Sequence, residues 1–114
     1  MPHLFIEYPQ DRISPEQLEP LLDSVHVNAL GTGLFEESNI RIRAIPLTHY
    51  RMGGKPDPFI HVQCRIHSGR TEEKKRQLSE AVLVAIRDQN LPVKSITVEV
   101  VEMDRESYAK WISK

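Results

Sequence analysis

The chain has 114 residues, 39% hydrophobic and 27% charged, the proportions of an ordinary folded domain. Its formal net charge of −1 supplies no overall field to draw in nucleic acid or an anionic membrane, so a charged ligand has to be held by local clusters. No apolar run is long enough to span a bilayer, and Met1 to Glu7 lacks the basic start and long apolar core of a signal peptide. The single cysteine, Cys64, rules out an internal disulfide and fits a reducing cytoplasm.

Leu4 to Tyr8 reads as a strand beginning almost at the terminus, followed by a polar turn at Pro9 to Arg12. Ser14-Pro15-Glu16-Gln17 has the form of a capping box with proline at the first helical position. Pro20 lacks a donor and crowds the preceding turn, so the sequence predicts a short turn near 15–18 and the main helix from about Pro20. Leu18, Leu21, Leu22, Val25 and Ala29 recur at helical spacing and mark its buried face, and Gly31-Thr32-Gly33 ends it.

Asn39 to Tyr50 reads as the second strand, with Ile40, Ile42 and Ala44 on one face and Arg41 and Arg43 on the other. Met52 to Pro58 is a loop. Phe59 to His67 alternates cleanly: Ile60, Val62, Cys64 and Ile66 share one face, His61, Gln63, Arg65 and His67 the other. After the turn at Ser68-Gly69-Arg70, Thr71-Glu72-Glu73 opens a helix with acids where the helix dipole favours them. Leu78, Ala81, Val82, Ala85 and Ile86 form its apolar stripe, and Asn90-Leu91-Pro92 stops it. Ser95 to Met103 is the last strand, and Asp104 to Trp111 reads as a short helical tail.

The order strand, helix, strand, repeated once, predicts an α/β (α+β) fold in one domain over residues 1–114. Two right-handed β-α-β units share one four-stranded sheet, with two helices on one face. The other face carries Arg41, Arg43, His61, Gln63 and Arg65 beside Phe59, Ile45 and Leu47. A chain this small has little core of its own, so that mixed face favours meeting other subunits over lying bare.

Pro2 is the first candidate for chemistry. Methionine aminopeptidase generally removes Met before proline, which leaves a secondary amine at the terminus. Burial and neighbouring cations would favour its neutral, basic form. Proline at this position is common and alone says little, but a terminus fixed in a sheet is positioned where most termini fray. Arg41 and Arg43 stand about 7 Å apart on one strand face and could grip a small di- or tricarboxylate with their forked donors. On spacing alone, a solvated face or an intersubunit salt bridge explains them better. Arg70 precedes a helix start, a plausible anion position and equally a solvated turn.

Other features carry less. His61 and His67 lie too far apart on one strand to chelate a single metal, and no paired Cys/His spacing occurs. Cys64 falls on an apolar face, where a thiol is inert. Gly53-Gly54-Lys55 lacks phosphate-loop spacing, and Lys74, Lys75 and Arg76 alternate with acids on a solvated helix face.

Five blocks together resemble the tautomerase superfamily, most closely the 5-carboxymethyl-2-hydroxymuconate isomerases. They are Pro2-His3-Leu4-Phe5-Ile6-Glu7, Thr32-Gly33-Leu34-Phe35, Ile40-Arg41-Ile42-Arg43, Phe59-Ile60-His61-Val62 and Gly69-Arg70. Their order and spacing cover roughly residues 2–90. The resemblance implies a tautomerase-like fold, a homotrimer with sites near subunit boundaries, and no cofactor or metal. It implies that Pro2, freed of Met1, is the acid/base. Arg41 and Arg70 would hold substrate carboxylates, with Arg43 a secondary candidate. The substrate implied is a carboxylated dienol from ring cleavage of homoprotocatechuate. The tail is shorter than in that pattern. Alternative readings are another tautomerase activity (phenylpyruvate-type or dehalogenase-like) and a non-catalytic, ferredoxin-like oligomeric module that binds a small anion.

Overall fold

The computed structural model describes residues 1–114. In chain order it contains β1 (His3–Pro9), α1 (Pro15–Gly31), β2 (Arg41–Leu47), β3 (Phe59–His67), α2 (Glu72–Arg87) and β4 (Ser95–Met103). The four strands form one sheet in the order β2-β1-β3-β4. β1 pairs parallel with β2, β3 pairs parallel with β4, and β1 and β3 meet antiparallel in the middle. A helix therefore bridges each parallel pair, as parallel neighbours require, and the expected two-unit sheet is found.

Period-two alternation decides which face is covered. Leu4, Ile6 and Tyr8 of β1 and Ile60, Val62, Cys64 and Ile66 of β3 are buried. They pack in one cluster with Leu21, Val25 and Ala29 of α1 and Leu78, Val82, Ala85 and Ile86 of α2. Full burial of each such aliphatic chain contributes roughly 1.5–3 kcal/mol, so this single layer is the main cohesive term. No helix is long and apolar enough to cross a membrane.

The opposite face has no helix over it. Register aligns His3 with Arg41 and Arg65, Phe5 with Arg43 and Gln63, and Glu7 with Ile45 and His61. Phe5, Ile45 and Phe59 stay partly exposed there among charged neighbours.

Three boundaries differ from the sequence reading. α1 is continuous from Pro15 and runs through Pro20. Pro20 sits on the outer face, early in the helix, and the one carbonyl it leaves unbonded, that of Glu16, is also on an exposed residue and reaches water. Ser14 and Gln17 fix the start reciprocally: the Gln17 amide donates to Ser14 Oγ at 3.3 Å, and the Ser14 amide to Gln17 Oε1 at 2.8 Å. β2 is shorter than 39–50, because Glu37–Asn39 form a 3-10 turn and the chain beyond Leu47 leaves the sheet. After β4 only Arg105–Ser107 make a 3-10 turn, and the last residues are irregular. The large apolar side chains there, Trp111 and Ile112, lie exposed at 84% and 64%, so no buried stripe holds a helix together.

Because Pro20 costs α1 one backbone hydrogen bond on an open surface, Pro20→Ala is expected to stabilise the chain. The gain should be about 1–2 kcal/mol, the helix penalty less the entropy that proline removes from the unfolded chain. Urea unfolding monitored by circular dichroism measures it.

Candidate functional site

Parallel pairing of β1 and β2 brings both of their starts to one end of the sheet, and antiparallel β3 delivers its end there too. The amide of Arg41 donates to the Pro2 carbonyl at 3.0 Å, extending the ladder one step beyond His3. Pro2 is fully buried and Met1 nearly so. The terminus is thus part of the sheet.

Cations gather around it. Arg41 Nη1 donates to the Met1 Sδ at 3.3 Å and to the Asn39 carbonyl at 3.3 Å. Arg70 Nη2 donates to the Leu34 carbonyl at 3.0 Å, with its guanidinium 5.0 Å from the centre of the Phe35 ring. Lys110 reaches back from the tail and donates to Asn39 Oδ1 at 3.1 Å. The Met1 amine is held below its ordinary value of 8.0, first by burial, then by the charges of Lys110, Arg41 and Arg70. The chain's Lys and Arg ion pairs run elsewhere, at Arg12–Asp11, Lys75–Glu72 and Glu102, Arg87–Asp88 and Lys94–Asp57. Arg41, Arg70 and Lys110 keep their charge uncompensated.

Arg43 goes elsewhere. Its Nη2 lies 2.6 Å from His3 Nδ1, and its guanidinium stacks 4.4 Å from the centre of the Phe5 ring. A guanidinium only donates, so Nδ1 of His3 accepts and Nε2 carries the ring proton. Nε2 then donates to the Tyr108 hydroxyl at 2.9 Å. Burial, then the charge of Arg43, holds His3 below the usual imidazole range, so it stays neutral in this role. Tyr108 also meets His67 edge-on, with ring centres 4.9 Å apart. His67 Nδ1 is buried without a hydrogen-bond partner. Burial and then Arg105, the terminal amine, Arg70 and Lys110 lower its pKa.

Of the sequence candidates, Pro2, Arg41 and Arg70 come together at this end of the sheet, and Arg43, on the same strand face as Arg41, is engaged with His3 and Phe5. Asn39, His67, Tyr108 and Lys110 were not anticipated, since no motif marks them. No group of three or more His, Cys, Asp or Glu side chains is positioned to hold a metal ion. Cys64 is fully buried and its thiol is pushed up to about 12, chiefly by burial, which leaves it inert.

Residues 2–110 match the family described as 5-carboxymethyl-2-hydroxymuconate isomerase. Among solved structures, a 5-carboxymethyl-2-hydroxymuconate isomerase from Deinococcus radiodurans R1 superposes with a TM-score of 0.83 at 26% identity, covering 98% of this chain and 90% of that one. A fused 4-OT, solved as a symmetric trimer, gives 0.80 at 16% identity over 95% and 90% of the two chains. The macrophage migration inhibitory factor of Toxoplasma gondii gives 0.76 at 17% over 95% of each. The last two establish likeness of fold. No curated protein matches the chain in sequence.

In protein that retains Met1, the terminal amine is expected to titrate below 8.0, and Arg41→Ala to move it back upward. The pH dependence of its acetylation, read by peptide mass spectrometry, measures both.

Proposed function

The chain belongs to the 5-carboxymethyl-2-hydroxymuconate isomerase family, and from that premise we propose that it converts 5-carboxymethyl-2-hydroxymuconate to its conjugated 2-oxo isomer in the cytoplasm, during homoprotocatechuate breakdown. One observation carries the reading: the Pro2 carbonyl is bonded into the sheet, and the Met1 amine beside it is lowered by burial and by the charges of Lys110, Arg41 and Arg70, none of which has an ion-pair partner. A base that must be neutral and a substrate that is polyanionic both call for that arrangement.

Loss of Met1 is a condition of the reaction, because the nitrogen of a Met1–Pro2 amide is not basic. It also frees Arg41 from the thioether that it now contacts. Neutral Pro2 then accepts the proton of the dienol hydroxyl. The O–H electron pair closes the ketone, and the double bonds shift along the chain. The prolinium delivers its proton to the carbon at the far end of the diene, which leaves a conjugated ketone and restores the neutral amine. Arg41 and Arg70 hold carboxylates and offset charge on the dienolate oxygen. Arg43 acts indirectly, by fixing His3. No cofactor or metal enters these steps.

We assign the active form as a homotrimer. The accessible surface of 7034 Å² exceeds the roughly 6,400 Å² of a compact monomer of this mass. The radius of gyration, 14.6 Å, exceeds the roughly 13 Å expected for this length. The uncovered sheet face and the exposed tail both add to these values, and association of three copies would cover the face. Multi-angle light scattering should therefore report three times the 13.1 kDa chain mass. A stable species of one chain's mass would remove this assignment.

The catalytic test is ketonisation kinetics across 2-hydroxymuconates and phenylpyruvate, on protein whose intact mass shows Met1 removed. Pro2→Ala should lower kcat about a hundredfold, a primary amine retaining some turnover. The cations favour the neutral amine, so kcat/KM should rise with pH as the Pro2 amine loses its proton and then level. Equal activity of Pro2→Ala, or retention of Met1 in active protein, overturns the role of the ring nitrogen. Turnover of phenylpyruvate alone points to a different tautomerase, and no turnover at all to a binding module.

A further inference from the structure

The tail after β4 folds back over the end of the sheet that carries Pro2. Tyr108 fastens it, accepting from His3 Nε2 at 2.9 Å and packing edge-on against His67. Two residues on, Lys110 Nζ meets the side-chain oxygen of Asn39, while Arg41 Nη1 meets the carbonyl of the same residue. Asn39 is therefore a shared post that holds two cations beside the amine. The partner of Lys110 is a neutral amide oxygen, so the ammonium charge is unmatched, and a carboxylate in its place would add an ion pair to the hydrogen bond.

The substrate class proposed above carries three carboxylates: the two ends of the muconate chain and the carboxymethyl arm. Arg41 and Arg70 account for two. Both are partly buried, and both present rigid forks suited to the planar, conjugated skeleton. Lys110 is exposed at the rim and is a point charge on a flexible stem. That suits a pendant carboxylate on a rotatable methylene.

We infer that Lys110 binds the carboxylate of the carboxymethyl arm and so selects the tricarboxylate over plain 2-hydroxymuconate. The inference rests on the isomerase reading, which the same experiment tests separately. The measurement is kcat/KM for 5-carboxymethyl-2-hydroxymuconate and for 2-hydroxymuconate, in wild type, Lys110→Met and Lys110→Arg, at the pH plateau of each protein.

Lys110→Met is expected to reduce the ratio of the two kcat/KM values about tenfold, mainly through a higher KM for the tricarboxylate. Lys110→Arg should restore most of it. If Lys110 acted only through the field at the amine or through packing of the tail, both substrates would suffer alike. An unchanged ratio in Lys110→Met, with wild type active, overturns the role of Lys110 and leaves the isomerase standing. Wild type inactive on both dienols overturns the isomerase reading, and this inference with it.

Discussion

The backbone hydrogen bond from the Arg41 amide to the Pro2 carbonyl governs the arrangement at this end of the molecule. It converts a chain end, ordinarily a frayed one, into the first rung of a parallel ladder. Once the rung exists, Arg41 has to project next to the terminus, since register aligns it with His3. The antiparallel partner β3 then brings His67 to the same end, and the turn after it brings Arg70. A shift of β1 by one residue would turn Leu4 and Ile6 out of the core, so the hydrophobic layer enforces the same register that positions the amine.

The covered and uncovered faces of the sheet divide the labour. The covered face supplies nearly all of the buried apolar surface. The uncovered face is left with half-exposed Phe5, Ile45 and Phe59 and with polar pairs such as His61 to Thr97 at 2.7 Å and to Glu99 at 2.6 Å. Those pairs satisfy the polar groups without needing a helix above them. The same face carries Arg43, whose contacts with Phe5 and His3 link it to the tail through Tyr108. The uncovered face and the tail are thus connected through one row of side chains.

Much of this was legible in the sequence because alternation and capping are local signals. The limits of β3 and β4, the cap of α1 and the helix-facing sets could all be read from residues within one element. Pro20 misled because propensity counts the lost hydrogen bond but not its location on a wet outer face. The tail, read as a short helix, makes only a 3-10 turn because no buried stripe exists to hold a helix. Pro2, Arg41 and Arg70 became candidates because blocks of neighbouring residues resemble a family, and the fold brings the three to one end of the sheet. Lys110 and Asn39 did not, because their meeting depends on a contact between positions 71 residues apart, and one sequence carries no record of it.

The unpaired cations at the terminus also bear on how firmly the chain holds together. Arg41, Arg70 and Lys110 repel one another and the amine, and no acid nearby relieves them. Folding gathers like charges that the unfolded chain keeps apart, so this end of the sheet is a place of internal tension. A polyanion that settles there relieves it and binds only the folded form. By mass action, at a hundred times its dissociation constant it adds about 2.7 kcal/mol to the stability of the fold. Such a ligand is then a structural element of its own host, and the chain is most resistant to unfolding and proteolysis when it is occupied.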